Sequence, residues 1–186
     1  MLKTNLKYFK APIEDLASTV QGDCSFCNKK DSIVFNLDSS RKGCVNCLAD
    51  KKFQLGGQLV EGGWYIKGKH YFFCPEQMDE ILSKPQPKVT EEAIEELAYT
   101  PCYKDQQGYS VWPICCQHFP VYIGKWKPGD FIKQVGKELF TSLIDEEYVW
   151  EETFAQESQE DWALDANVYM FKCEKCSNYK AYWDCT

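Results

Sequence analysis

Apolar positions in this chain come in short bursts separated by polar, proline or glycine breaks, and no burst approaches the length that crosses a bilayer. Tyr8 and Phe9, followed by Pro12, read as an extended arm, and Ile13 to Leu16 as a short helical turn. Ser32-Ile-Val-Phe-Asn-Leu37 reads as a strand, and Cys44 to Lys52 opens a short helix. Gln58 to Phe73 is rich in Val, Trp, Tyr and Phe and broken at Gly62-Gly63 and Gly68, which predicts a β-hairpin or two short strands. Pro75-Glu76 starts a helix through Leu82, and Pro85-Gln-Pro87 stops it. Thr90 is placed to cap a second helix, where Glu91 and Glu92 complement the dipole and Ile94, Leu97 and Ala98 share a face. Thr100 to Pro113 reads as a turn-rich loop and Val121 to Gly124 as a strand. Asp130 caps a helix with the stripe Phe131, Val135, Leu139 and Leu143, weakened at Gly136. The chain ends as strand, turn and strand: Val168 to Lys172, Cys173-Glu-Lys-Cys176, Tyr179 to Trp183. The expected class is α+β, with short antiparallel strands, several helices and cysteine knuckles of the zinc-ribbon kind, and no internal repeat or low-complexity tract.

Cysteine spacing changes the picture most. Cys24-Ser-Phe-Cys27 and Cys44-Val-Asn-Cys47 are two Cys-x-x-Cys pairs separated by the sixteen residues from Asn28 to Gly43. Each pair turns two thiolates toward one ion, and two pairs close a tetrahedral shell with no open position. The predicted strand and helix between and after them suit a zinc-ribbon or a treble-clef arrangement. A redox-active dithiol is the rival, but two pairs at this gap argue against a lone thioredoxin-like motif. Cys173-Glu-Lys-Cys176 is a further pair that needs two more ligands, and Cys115-Cys116-Gln-His118 offers Cys115, Cys116 and His118. Two Zn²⁺ per chain are expected, both structural. Residues 1–55 are expected to form an N-terminal zinc-ribbon lobe and residues 56–186 an α+β part with the second knuckle, packed as one unit. His70 lacks ligand spacing, and Cys74, Cys102 and Cys185 read as small hydrophobes or free thiols.

The chain of 186 residues is 44% hydrophobic and 15% aromatic, a globular composition. Eleven cysteines would suit a secreted disulfide scaffold, but the start lacks an apolar signal core, so reduced, metal-ligating cysteines in a cytoplasm are expected. The net charge of −7 disfavours general phosphate binding. Nine carboxylates and no Lys or Arg fall between 145 and 171, which reads either as a solvated face or as a surface that steers a basic partner, with Trp150, Phe154 and Trp162 as candidate anchors. Lys29-Lys30, Arg41-Lys42 and Lys51-Lys52 keep a nucleic-acid-binding zinc ribbon in play as the alternative. No Ser-His-Asp order, phosphate loop or His-Glu-x-x-His motif points to an enzyme, so a non-enzymatic role is expected, with a zinc-dependent hydrolase the weaker alternative.

These residues also carry a resemblance. Lys7-Tyr8-Phe9 with Pro12, the pairs at 24/27 and 44/47, Thr100-Pro101, Gly108-Tyr109, Trp112-Pro-Ile-Cys-Cys116, Tyr122-Ile-Gly124 and Tyr169-Met-Phe-Lys-Cys-Glu-Lys-Cys176 with Tyr179 and Tyr182 resemble the CbrC family of small bacterial proteins, named for a colicin tolerance protein. The family pattern has a His-Cys pair before the aromatic-Ile-Gly segment; here Cys116 keeps the cysteine and Cys115 stands in the histidine's place. The resemblance implies a zinc-ribbon-like protein that acts through protein contacts, with tolerance or immunity to a colicin-like nuclease toxin as the role. A basic toxin domain is the partner it implies.

Overall fold

The computed structural model describes residues 6–55, 58–60, 63–66, 69–72, 89–104, 111–127 and 167–184, with the single positions 133 and 136. The expected helices at Pro75 to Leu82 and after Asp130, the acidic stretch 145–166, and Cys74 and Cys185 lie outside the described residues.

Among the described residues three small sheets form. In the first, β1 (Thr19–Gly22), β2 (Ser32–Asn36) and β3 (Lys42–Cys44) pair antiparallel in that order. β2 is buried on both faces, which accounts for its unbroken run Ile33-Val34-Phe35: Val34 packs among cysteines, while Ile33 and Phe35 face the central core. A short helix α1 (Val45–Ala49) leaves β3 directly and buries Val45, Cys47 and Leu48.

In the second sheet β8 (Val121–Trp126), β9 (Asn167–Lys172) and β10 (Tyr179–Asp184) run antiparallel with β9 central. The N-terminal arm joins its β8 edge, since Tyr122 N–H donates to the Tyr8 carbonyl at 2.8 Å and Lys10 N–H to the Tyr122 carbonyl at 2.9 Å. A bulge between Tyr122 and Gly124 shifts the register, and Gly124 takes φ +137°, a conformation that suits glycine. One carboxylate fixes that bulge. Asp15, at the end of a 3-10 turn (Ile13–Asp15), accepts the Tyr122 hydroxyl and the Lys125 N–H through Oδ2, both at 3.1 Å.

The third sheet orders β6 (Lys69–Phe72), β5 (Gly63–Ile66), β4 (Gln58–Val60) and β7 (Val111–Trp112), with β4 and β7 parallel. The hairpin expected between 58 and 73 is therefore three strands, and the Thr100 to Pro113 loop ends in a strand.

Between the sheets lies one aromatic core drawn from both ends of the chain. Tyr103 is its hub: its ring stacks on Tyr122 at 4.7 Å and meets Tyr169 at 4.9 Å and Phe171 at 5.6 Å. Its hydroxyl donates to the Val111 carbonyl and accepts the Val111 N–H, both at 3.0 Å, so the buried phenol is satisfied twice. Phe9, Leu16, Phe35, Val45 and Leu48 from the first fifty residues pack into the same core as Trp112 and Phe171.

Helix α2 (Glu91–Leu97) is capped by Thr90, whose Oγ1 accepts the Ala93 N–H at 3.3 Å, as the sequence predicts. It buries Ala93 and Leu97 and is tied down at both ends. Thr90 N–H donates to the Gln117 carbonyl at 3.1 Å, Leu55 N–H to the Ala98 carbonyl at 2.9 Å, and Lys51 pairs with Glu96 at 2.9 Å. Among the described residues α1 and α2 are the α-helices with full bounds, and Lys133, past Asp130, is helical as well.

The bulge clamp gives a direct test. Asp15→Ala removes two hydrogen bonds to a carboxylate and is expected to cost about 1.5–3 kcal/mol in urea unfolding. Tyr122→Phe in the Asp15→Ala background should add little, because the two side chains act as a unit; additive costs would show that Asp15 does not hold Tyr122.

Candidate metal centres

Local backbone geometry aims the first four cysteines at one point. Cys24 to Cys27 is a knuckle: Cys24 N–H donates to the Lys29 carbonyl and Asn28 N–H to the Cys24 carbonyl, both at 2.9 Å, with Asn28 at φ +57°. Asn tolerates that left-handed conformation better than most residues. Cys44 ends β3 and Cys47 sits in the first turn of α1. Knuckle, hairpin and helix start follow one another, so of the two arrangements the sequence suits, the treble-clef one is the arrangement that forms.

The four sulfurs lie within 4.8 Å of one another, with Cys24 Sγ 3.7 Å from Cys47 Sγ and Cys27 Sγ 3.8 Å from Cys44 Sγ. Tetrahedral geometry with metal–sulfur bonds of about 2.3 Å puts the ligand edges at about 3.8 Å. The spacing fits an ion. It is far too long for a disulfide, whose sulfurs sit about 2.05 Å apart. Cys24, Cys44 and Cys47 are buried and Cys27 is exposed. Val34 closes one side, and the stacked rings of Phe26 and Phe53, 5.0 Å apart, pack over the group. Gly43 leaves room for that lid, since a Cβ there would overlap the Phe53 ring.

The second group repeats the knuckle. Cys173 N–H donates to the Asn178 carbonyl and Ser177 N–H to the Cys173 carbonyl, both at 2.8 Å, with Ser177 at φ +62°. These bonds join the same relative positions as in the first knuckle. Its partners come from a tight turn between β7 and β8. Cys115 and His118 exchange both backbone hydrogen bonds at 2.9 Å, and Cys116 and Gln117 have φ +52° and +61°. Positive φ at both central residues is the type I′ signature. Cys115 Sγ then lies 3.6 Å from Cys176 Sγ and 3.9 Å from Cys116 Sγ, and all four sulfurs of Cys115, Cys116, Cys173 and Cys176 fall within 4.8 Å.

His118 stands outside this group. Its Nδ1 faces the Tyr8 hydroxyl at 3.4 Å. Burial, helped by Glu96 and Glu174, pushes the Tyr8 phenol up to about 12, so it stays protonated beside that ring nitrogen. Burial, then Lys175 and Lys7, holds the imidazole below its ordinary value, hence neutral. The structure thus brings Cys115 and Cys116 together with the C-terminal knuckle and leaves the histidine to pin the arm. The remaining described thiol, Cys102, is half-buried and belongs to neither group.

Electrostatics within the groups favours few thiolates. At Cys24 burial works against ionisation, but N–H groups of Cys44, Phe26 and Cys27 outweigh it and bring the thiol down to about 6. Burial and the neighbouring sulfurs push Cys47 well above the thiol range, and burial raises Cys44 further than the Cys47 amide draws it down. In the second group the Asn178 N–H lowers Cys176 to about 7, burial and adjacent sulfurs raise Cys115, and contact with Cys176 raises Cys116. Metal-free, each group keeps at least two thiols protonated near neutrality.

A sign follows for pH. A divalent cation needs thiolates, so its binding expels the protons of Cys44 and Cys47 in one group and of Cys115 and Cys116 in the other. With at least two protons released per ion, apparent affinity should fall by about 100-fold or more for each unit of pH lowered below the thiol range. Competition against a chromophoric chelator at two pH values near neutrality measures this; pH-independent affinity would show that the sulfurs are already ionised.

The described residues contain no helix long and apolar enough to cross a membrane. Comparison with curated proteins and with solved structures gives no match. The model of an uncharacterised protein family, UPF0167, matches residues 4–185, nearly the whole length. The chain therefore belongs to that family.

Proposed function

We propose that this protein is a non-enzymatic interaction protein held in shape by two Zn²⁺ ions, each on four cysteine thiolates. The spacing of the eight sulfurs carries the reading, since two separate groups fit the edges of a tetrahedron. An all-sulfur shell selects a soft or borderline ion, and zinc is the common occupant of four-thiolate sites. Such a shell is closed, so the ions have no position for water or substrate and act by fixing the chain.

Resemblance to the CbrC family supports the finer part, tolerance to a colicin-like nuclease toxin through contact with a basic toxin domain. Charge supports it too. The nine carboxylates between 145 and 171, within a chain of net charge −7, give a basic partner an electrostatic gain in association rate. A cytoplasmic location follows from the same reading, because reduced thiolates are what the two sites need.

Nucleic-acid binding, the alternative, rests on six cations around the first group, and most of them are engaged. Lys30 pairs with Asp23, Arg41 with Asp38, Lys51 with Glu96 and Lys52 with Asp50. Between residues 23 and 52 six positive charges meet four carboxylates, and a loaded tetrathiolate adds a net −2, which leaves zero. Exposed pairs are individually weak, but a neutral region gives a phosphate backbone little to bind.

Metal analysis of protein purified without added metal is expected to find two zinc per chain, one in Cys24→Ser and one in Cys173→Ser. Removing the first ion should be the more damaging, because structural zinc contributes on the order of 10 kcal/mol of coupled folding energy; a metal-free, cooperatively folded native protein would overturn the reading. The partner is tested separately. The immobilised chain should capture a basic colicin-type nuclease domain with an association rate that drops as salt is added, and should not retain single- or double-stranded DNA at physiological salt; the reverse selectivity would favour the nucleic-acid alternative.

A further inference from the structure

The two centres are alike in ligands and unlike in surroundings. In the first, Cys24, Cys44 and Cys47 are 1%, 4% and 2% exposed, Val34 is sealed, and the Phe26–Phe53 stack lies across the group. Cys27 is its one exposed sulfur. In the second, Cys173 alone is buried; Cys116 and Cys176 are exposed and Cys115 is half-buried. Backbone N–H groups reach Cys24 from three residues and Cys44 from one. The apolar and hydrogen-bonded surroundings of a metal site control solvent access and ligand loss. Provenance differs as well. All ligands of the first group come from residues 24–47, whereas the second joins a turn at 115–116 to a knuckle at 173–176. The pairing of β8 with β9, which sets Val121 opposite Lys172, brings those two distant parts together.

We propose that the second centre is an exchangeable metal site that a small-molecule disulfide empties, while the first keeps its ion. The inference rests on the two-zinc reading above. Access decides the chemistry. The Cys176 thiolate attacks one sulfur of the small disulfide; a bond forms to Cys176, the original sulfur–sulfur bond breaks, and one small thiolate leaves. Cys115, 3.6 Å away, then attacks the Cys176 sulfur, closes a Cys115–Cys176 disulfide and releases the second small thiolate. Two protein sulfurs have given up two electrons, and the small disulfide has accepted them. The ion is left with Cys116 and Cys173, too few for a tetrahedral shell, and departs as those thiolates take protons from solvent. Closure between Cys115 and Cys116 is the poorer choice, because adjacent cysteines form an eight-membered ring through a distorted peptide unit. In the first group the exposed Cys27 forms at most a mixed disulfide: its neighbour Cys44, 3.8 Å off, is buried beneath the aromatic lid and held in the shell.

The test uses the zinc-loaded wild-type protein. A chromophoric chelator in excess should take zinc in two equal phases separated by about tenfold or more in rate. Oxidised glutathione should release one equivalent, with mass spectrometry locating a Cys115–Cys176 disulfide and a thiol reductant plus zinc restoring the starting protein. Cys176→Ser should lose the fast phase and keep the slow one. Two ions released at one rate, or a disulfide forming first among Cys24, Cys27, Cys44 and Cys47, would overturn the proposal while leaving the two-zinc reading intact. Isolation with fewer than two bound zinc ions would instead remove that reading and this proposal with it.

Discussion

Eight thiols gathered into two groups impose the constraint on which the rest of this structure depends. Two thiolates 3.7 Å apart repel by about 4–5 kcal/mol even at an effective dielectric of 20, and each group holds four sulfurs at edges of 3.6 to 3.9 Å. The chain meets this in the metal-free state by keeping at least two thiols of each group protonated, with Cys47 and Cys115 raised while Cys24 and Cys176 are lowered. A divalent cation removes the conflict by replacing the protons. Around the first group the elements are short: β3 is three residues long and α1 five, below the length at which either stands alone.

The aromatic core takes the complementary part. It does not hold the sulfurs, but it joins the two groups, since side chains of β2 and α1 and of β8 and β9 pack into the same cluster. Helix α2 makes that spacing rigid. One end hydrogen-bonds to the turn that carries Cys115 and Cys116, and the other to the segment that follows Cys47. The fold can be described as two cysteine groups on either end of a strut, closed over a core rich in tyrosine whose hydroxyls need partners, a need that Tyr103 meets at Val111 and Tyr122 at Asp15.

Sequence made the first group legible because all its determinants are local: pair spacing, the strand between, and the helix start need only some twenty-four residues. The second was half legible. The knuckle at Cys173 shows itself, but the choice among Cys115, Cys116 and His118 depends on a type I′ turn that ordinarily announces itself with glycine or asparagine, and here Cys116 and Gln117 adopt it. Nothing in the sequence says that the Tyr8 hydroxyl takes the histidine. Strands β1, β3 and β7 were missed for a related reason. Thr19-Val-Gln-Gly22 and Lys42-Gly-Cys44 lack an apolar face, and they are strands because β2 supplies partners, while Val111-Trp112 pairs with β4 from fifty residues away. Pairing across the chain overrides weak local preference. Thr90, by contrast, was readable, because a cap is a local event.

Charge bookkeeping by composition alone misplaces the electrostatic character of the molecule. Formal charge is −7 with every cysteine neutral, and two loaded tetrathiolates at −2 each take it to −11. The region that looks basic in sequence offsets only its own tetrathiolate: six cations, four carboxylates and one tetrathiolate cancel between residues 23 and 52. Four of those cations, Lys30, Arg41, Lys51 and Lys52, pair with nearby carboxylates. The excess negative charge must then reside in the rest of the chain, and nine carboxylates without a cation between 145 and 171 are its densest concentration. Long-range attraction by such a segment is strongest for a partner rich in lysine and arginine and fades beyond about 8 Å at physiological salt, so composition puts any steering of a basic partner in the acidic segment and any fixing of the chain's shape in the cysteine groups.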